Sequence, residues 1–65
     1  MRKNLQAARR AKGLTQEQMA EYLQICDVHY RRIELGHVMG RVEMWDKLED
    51  FFGLDQRWLR ENTIK

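Results

Sequence analysis

Apolar residues recur every three to four positions along most of the chain, and four glycines interrupt this pattern. Such spacing places apolar side chains on one face of an α-helix. No segment alternates apolar and polar residues as a half-buried strand would, and the chain contains no proline. The pattern therefore predicts an all-α fold without a sheet. The glycines that separate the predicted helices are Gly13, Gly36, Gly40 and Gly53.

The first predicted helix begins near Asn4 and ends at Lys12. Asn4 can accept a hydrogen bond from a free backbone N–H of the first turn, which is the role of an N-cap residue. Gly13 can adopt the left-handed conformation that ends many helices. The residues expected to face inward are Leu5, Ala8 and Ala11.

Two short helices joined by a three-residue turn are predicted next. Thr15 and Gln18 have the spacing of a capping box, so the first of the two begins at Thr15. Residues 24–26 form the turn, and the second short helix covers about 27–35 before Gly36 ends it. The residues expected to face the core are Met19, Ala20, Leu23, Ile25, Tyr30 and Ile33. Two short helices at this spacing, over about residues 15–35, are typical of a DNA-binding helix-turn-helix.

Two further helices are predicted in the second half of the chain. The fourth covers about Val42 to Phe52, and Gly53 ends it. Asp55 is a suitable N-cap for a short fifth helix. The apolar residues expected to pack inward from these two helices are Val42, Trp45, Leu48, Phe51, Phe52, Trp58 and Leu59. The sequence thus predicts a single domain over residues 1–65, built as a compact five-helix bundle.

Charge is distributed unevenly between the two halves of the chain. Residues 1–36 carry seven basic and four acidic residues, whereas residues 37–65 carry five basic and six acidic residues. A basic excess on the half that contains the two short helices points to a polyanionic partner. An ordinary solvated surface explains the same excess, and on charge alone this explanation is favoured.

Composition excludes several classes of protein. One cysteine, Cys26, cannot form an internal disulfide, and with His29 and His37 it provides too few ligands for a zinc site. No catalytic nucleophile with a partner base and no phosphate-binding loop are found. No apolar run approaches the 18 residues of a membrane span. We therefore expect a cytoplasmic protein that is not an enzyme, with no cofactor, no metal, no membrane association and no small-molecule substrate.

A set of residues in fixed order extends over about residues 4–60. It comprises Leu5, Ala8, Arg9, Gly13, Leu14, Thr15, Gln16, Glu17, Met19, Ala20, Leu23, Ile25, Tyr30, Arg32, Ile33, Glu34, Gly36, Leu48, Asp50, Phe51, Phe52, Gly53, Leu54, Trp58 and Leu59. In this set the chain resembles the phage repressor and Cro type of helix-turn-helix domain, also called XRE-like or lambda-repressor-like. The resemblance implies the same five-helix fold and binding to double-stranded DNA.

The resemblance also implies roles for individual residues. Gln16 corresponds to a glutamine that binds a phosphate and braces the start of the DNA-recognition helix. Arg9 and Glu34 correspond to a structural ion pair between the first and third helices, so Arg9 is not expected to contact DNA. The residues implied to contact bases or phosphates are Gln16, Asp27, Val28, His29, Arg31 and Arg32.

For several of these residues a second role competes with DNA contact. Arg32 either contacts a guanine edge or binds a phosphate, and Asp27 is more simply the N-cap of the third helix than a partner of cytosine. Val28 and His29 are either DNA contacts or ordinary surface residues. Cys26 could act as a redox sensor at a helix N-terminus, but replacement of a small serine or threonine is the favoured explanation. Trp45 and Trp58 are expected in the core rather than stacked on bases.

The chain departs from the family pattern at three places. Gln24 stands where a small residue, often glycine, is usual, and Leu35 stands where an asparagine often binds phosphate. The loop 37–41 lacks the usual polar character. Leu35, Val38 and Met39 form an apolar ridge, which either packs on the fourth helix or binds a partner. The candidate dimer or partner surfaces are this apolar ridge, Trp58 and the segment 58–64.

The sequence therefore predicts a bacterial or phage-encoded, nucleoid-associated transcriptional regulator, most simply a small repressor of phage or mobile-element type. It is expected to bind as a homodimer, because two half-sites about 34 Å apart multiply the specificity of one short helix. The alternatives are a protein-interaction module of the same fold, as in antitoxins or anti-repressor targets, and a DNA-binding accessory factor in recombination or conjugation.

Overall fold

The computed structural model of the protein describes residues 1–62 as an all-α domain, and no strand occurs in that range. The five helices, numbered in chain order, are α1 (Lys3–Ala11), α2 (Gln16–Leu23), α3 (Asp27–Leu35), α4 (Val42–Phe52) and α5 (Gln56–Arg60). The predicted five-helix architecture is confirmed.

The start of α2 is determined by local sequence. Thr15 Oγ1 accepts from Gln18 N at 3.1 Å, and Gln18 Oε1 accepts from Thr15 N at 2.9 Å, which confirms the capping box. Asp55 likewise caps α5, since its carboxylate accepts from Arg57 N at 2.9 Å. These contacts satisfy backbone N–H groups that have no partner within the helix.

Two predicted N-caps are wrong. The N-cap position of α1 is Arg2, two residues before the expected Asn4. Asn4 lies inside the first turn, where its Nδ2 donates to Trp58 O on α5 at 2.9 Å. Cys26 has the extended backbone of a cap residue, so Asp27 is the first helical residue of α3 and accepts from Val28 N at 3.0 Å. A carboxylate in the first turn is still favourable at the positive end of the helix dipole.

The turn between α2 and α3 contains a residue in the left-handed region. Gln24 ends α2 with φ 59° and ψ 42°. A residue with a Cβ adopts this conformation at a cost of about 1–2 kcal/mol, whereas glycine adopts it freely. This backbone geometry explains why glycine is often found at this position in the family pattern, where the present chain has Gln24.

The core forms between all five helices. Its fully or almost fully buried apolar residues are Leu5, Ala8, Met19, Ala20, Leu23, Tyr30, Ile33, Met44, Trp45, Leu48 and Leu59. Ile25, Phe51 and Phe52 are half-buried against it, and the Phe51 ring lies 4.7 Å from the ring of Tyr22.

Three residues predicted to face inward are exposed instead. Ala11 lies at the solvent side of α1. Val42 is 62% exposed because the buried face of α4 runs through Met44, which the sequence analysis missed. Trp58 is 44% exposed, and the short helix α5 packs on the core through Leu59 instead.

Candidate nucleic-acid interface

Helix α3 has one buried and one exposed face. Tyr30 and Ile33 are completely buried and Glu34 is 1% exposed. The side chains on the opposite face, all exposed to solvent, are Val28, His29, Arg31, Arg32 and Leu35. The buried side chains determine the orientation of α3, so four of the predicted DNA-contact residues lie together on one accessible surface.

Asp27 and Arg31 form an ion pair one turn apart on this surface. The Arg31 Nη2 to Asp27 Oδ2 distance is 3.7 Å, and both side chains are about half exposed. An exposed pair of this kind contributes little to stability. Arg31 can therefore exchange its carboxylate partner for a phosphate at small cost.

Gln16 lies at the start of α2 and is half-buried. Its Nε2 donates to Glu34 Oε1 at 3.1 Å, which connects the first turn of α2 to α3. The contact braces the two helices of the motif against each other. The phosphate contact of Gln16 stays a prediction.

A buried ion pair connects α1 to α3. Arg9 Nε lies 2.6 Å from Glu34 Oε2, and Arg9 Nη1 also donates to Leu14 O at 2.7 Å. The two side chains are 9% and 2% exposed. Arg9 is thus part of the scaffold of the motif and offers no charge to a ligand at the surface.

The Tyr30 hydroxyl lies next to this ion pair. Burial, together with the neighbouring Glu34 carboxylate, raises the pKa of Tyr30 above its ordinary value. Among the described residues the hydroxyl oxygen has no hydrogen-bond partner. The phenol therefore stays neutral and acts as a core side chain.

Sequence reasoning missed the role of Arg2, which it counted with the surface cations. Arg2 is 3% exposed and its side chain donates to backbone carbonyls on three segments of the chain. Burial and the nearby Arg60 guanidinium lower the pKa of Arg2. No local motif marks this residue, because its partners are distant carbonyl groups. Two of the seven basic residues in 1–36, Arg2 and Arg9, are therefore unavailable to DNA.

The predicted apolar ridge is only partly exposed. Leu35 is 44% and Met39 54% exposed, but Val38 is half-buried and packs against the core. Trp58 adds an exposed apolar side chain on α5. Of the predicted segment 58–64, residues 63 and 64 lie outside the described residues.

An open groove of about 630 Å³ separates the turn of the motif from the start of α4. Leu23, Cys26 and His29 line one side, and Arg41 and Lys47 line the other. Within residues 1–62, no group of three or more His, Cys, Asp or Glu side chains is arranged to bind a metal ion. None of the described helices combines the length and the hydropathy of a membrane-spanning segment.

Comparison with protein families agrees with this geometry. A family model described as "Helix-turn-helix" matches residues 5–59, which covers most of the chain and all of the motif. Searches of curated proteins and of solved structures gave no match.

Proposed function

Because the chain belongs to the helix-turn-helix family of the phage repressor and Cro type, whose members bind DNA, we propose that it is a sequence-specific regulator of transcription. In this proposal it is a small repressor of phage or mobile-element type that acts on the bacterial nucleoid as a homodimer. The division of α3 into a buried and an exposed face carries the proposal.

The exposed face of α3 contains side chains suited to base edges and phosphates. Arg32 can donate two hydrogen bonds to guanine, and Val28 can pack on the methyl group of thymine. His29 and Arg31 provide further donors to bases or phosphates, and Asp27 can accept from the amino group of cytosine. Gln16, the first residue of α2, binds a phosphate in this proposal, and the positive end of the helix dipole favours an anion there.

Binding to duplex DNA can be tested by selection from a random pool, followed by affinity measurements at several salt concentrations. We expect an enriched palindrome whose half-sites are about one helical turn apart. The logarithm of affinity should fall with the logarithm of salt concentration, with a slope of about −0.9 per phosphate neutralised. Absence of binding to any duplex at low salt would refute the proposal.

Replacing Arg32 with alanine is expected to lower affinity for the selected site by about 1–3 kcal/mol and to relax specificity at one base pair. Titration of the selected site and of its single-base variants measures both effects. Arg57→Ala is the matched control, since it removes an equal charge from an exposed position on α5, outside the proposed interface. A uniform loss across all duplexes would instead assign Arg32 to phosphate binding.

Exposure of Leu35, Met39 and Trp58 favours one alternative, in which the domain binds a protein. The selection from a random pool distinguishes a DNA-binding regulator from a protein-interaction module, because the latter would enrich no duplex sequence.

A further inference from the structure

The side chain of Arg2 is buried where the end of α3, the loop 37–41 and α5 meet. Its Nη1 donates to Ile33 O at 2.6 Å and to Val38 O at 2.8 Å, and its Nε donates to Arg60 O at 3.1 Å. The backbone N of Arg2 donates to Glu34 O at 2.8 Å. One residue thus binds two carbonyls of the last turn of α3 and one carbonyl of the loop that follows.

Trp45 contacts the same loop from α4. Its Nε1 donates to Met39 O at 2.7 Å, and the Arg2 guanidinium lies 5.4 Å from the centre of its ring. Two stacked, buried side chains therefore bind the successive carbonyls of Val38 and Met39. The loop also lies close to the core at Gly40, where a Cβ atom would be 3.2 Å from the Ile33 side chain.

The chemistry of these contacts requires an arginine. Carbonyls in the last turn of a helix have no partner within the helix, and a cation near that end is favourable. A guanidinium offers five donors in a rigid plane and can bind several carbonyls simultaneously, whereas an ammonium is a point charge with flexible donors. Arg2→Lys would keep the charge and lose this geometry.

We propose that Arg2 is a positioning residue for DNA binding, which fixes the loop 37–41 relative to the exposed face of α3. The inference rests on the proposed function. The loop directly follows α3, so a DNA strand beside that helix also meets the loop. The backbone N–H groups of residues 38–41 and the exposed Arg41 side chain can then contact phosphates without first having to become ordered.

The test compares the parent chain with Arg2→Lys, Arg2→Met and the control Asn4→Ala. Asn4 also connects α1 to α5, and its side-chain hydrogen bonds go to Trp58 O and Glu61 Oε1 and not to the loop. For each protein, urea unfolding determines the folded fraction, and duplex titrations at several salt concentrations determine the affinity of the folded protein. Arg2→Lys is the main variant because it keeps the positive charge. It therefore still tests the inference if Arg2→Met fails to fold.

Both Arg2 variants are expected to weaken binding to all duplexes and to reduce the salt slope by about 0.9 for each phosphate that is no longer neutralised. Amide hydrogen exchange at Gly36 and His37, which donate to Ile33 O and Arg32 O, should become faster in Arg2→Lys. Asn4→Ala should change stability alone and leave the salt slope at the parent value.

Two results would overturn the inference, and they are distinguishable. If the parent binds duplex and Arg2→Lys keeps its affinity and salt slope, Arg2 has only a structural role and the proposed function stands. If the parent binds no duplex, the proposed function fails and the inference fails with it.

Discussion

Replacing Glu34 with alanine is expected to lower the free energy of unfolding by about 3–5 kcal/mol, because it leaves the buried guanidinium of Arg9 without its counter-charge. Gln16 loses its acceptor in the same step. A domain of 65 residues has a total stability of about 3–10 kcal/mol. Urea unfolding followed by circular dichroism should therefore show a midpoint for Glu34→Ala at a clearly lower urea concentration than for the parent chain.

The double variant Arg9→Leu with Glu34→Ala is the control for this prediction. It removes the unpaired charge as well as the ion pair, and replacement of a buried pair by apolar residues is often close to neutral. We expect the double variant to be more stable than Glu34→Ala alone. Equal stability of the two variants would show that the buried charge of Arg9 is not the cause of the loss.

Replacing Trp45 with alanine is expected to lower the free energy of unfolding by about 3–5 kcal/mol. Trp45 is completely buried and is the largest side chain in the core. The change leaves a cavity and also removes the hydrogen bond to Met39 O and the ring beneath Arg2. Thermal and urea unfolding measure the loss, and Trp45→Phe, which keeps most of the apolar volume, should lose less.

Trp58→Ala is the matched control, because the same substitution is made at a side chain that is 44% exposed. We expect a clearly smaller loss of stability than for Trp45→Ala. Comparable losses at the two tryptophans would contradict the assignment of Trp45 to the core and Trp58 to the surface.

Much of the fold follows from local sequence signals. The capping box of Thr15 and Gln18, and the glycines at 36 and 53, lie within a few residues of the helix ends that they determine. The exposed face of α3 was also predictable, since Tyr30 and Ile33 at a spacing of three place the remaining side chains outward. These features depend on interactions within one or two helical turns.

Several of the mistaken expectations involve contacts between distant segments, whereas the N-cap of α3, where Cys26 replaces the predicted Asp27, is a local difference. Asn4 was expected to cap α1, but its amide binds the carbonyl of Trp58 on α5. Val42 and Trp58 fit an apolar stripe, yet they are exposed because α4 and α5 meet the rest of the bundle through other residues. Apolar periodicity indicates which side chains share a face, but it does not determine how far along a helix the packed region extends.

The sequence alone determined the helical class, the start of α2, the C-terminal ends of α3 and α4 and the family of the motif, because periodicity, caps and glycines act locally. The burial of Arg2 was decided only by the tertiary structure, which brings carbonyls from α3, the loop 37–41 and α5 around one guanidinium. Every residue has a backbone carbonyl, so residue types do not indicate which carbonyls will accept a hydrogen bond from an arginine. The partners of a buried arginine therefore become visible only when the chain is folded.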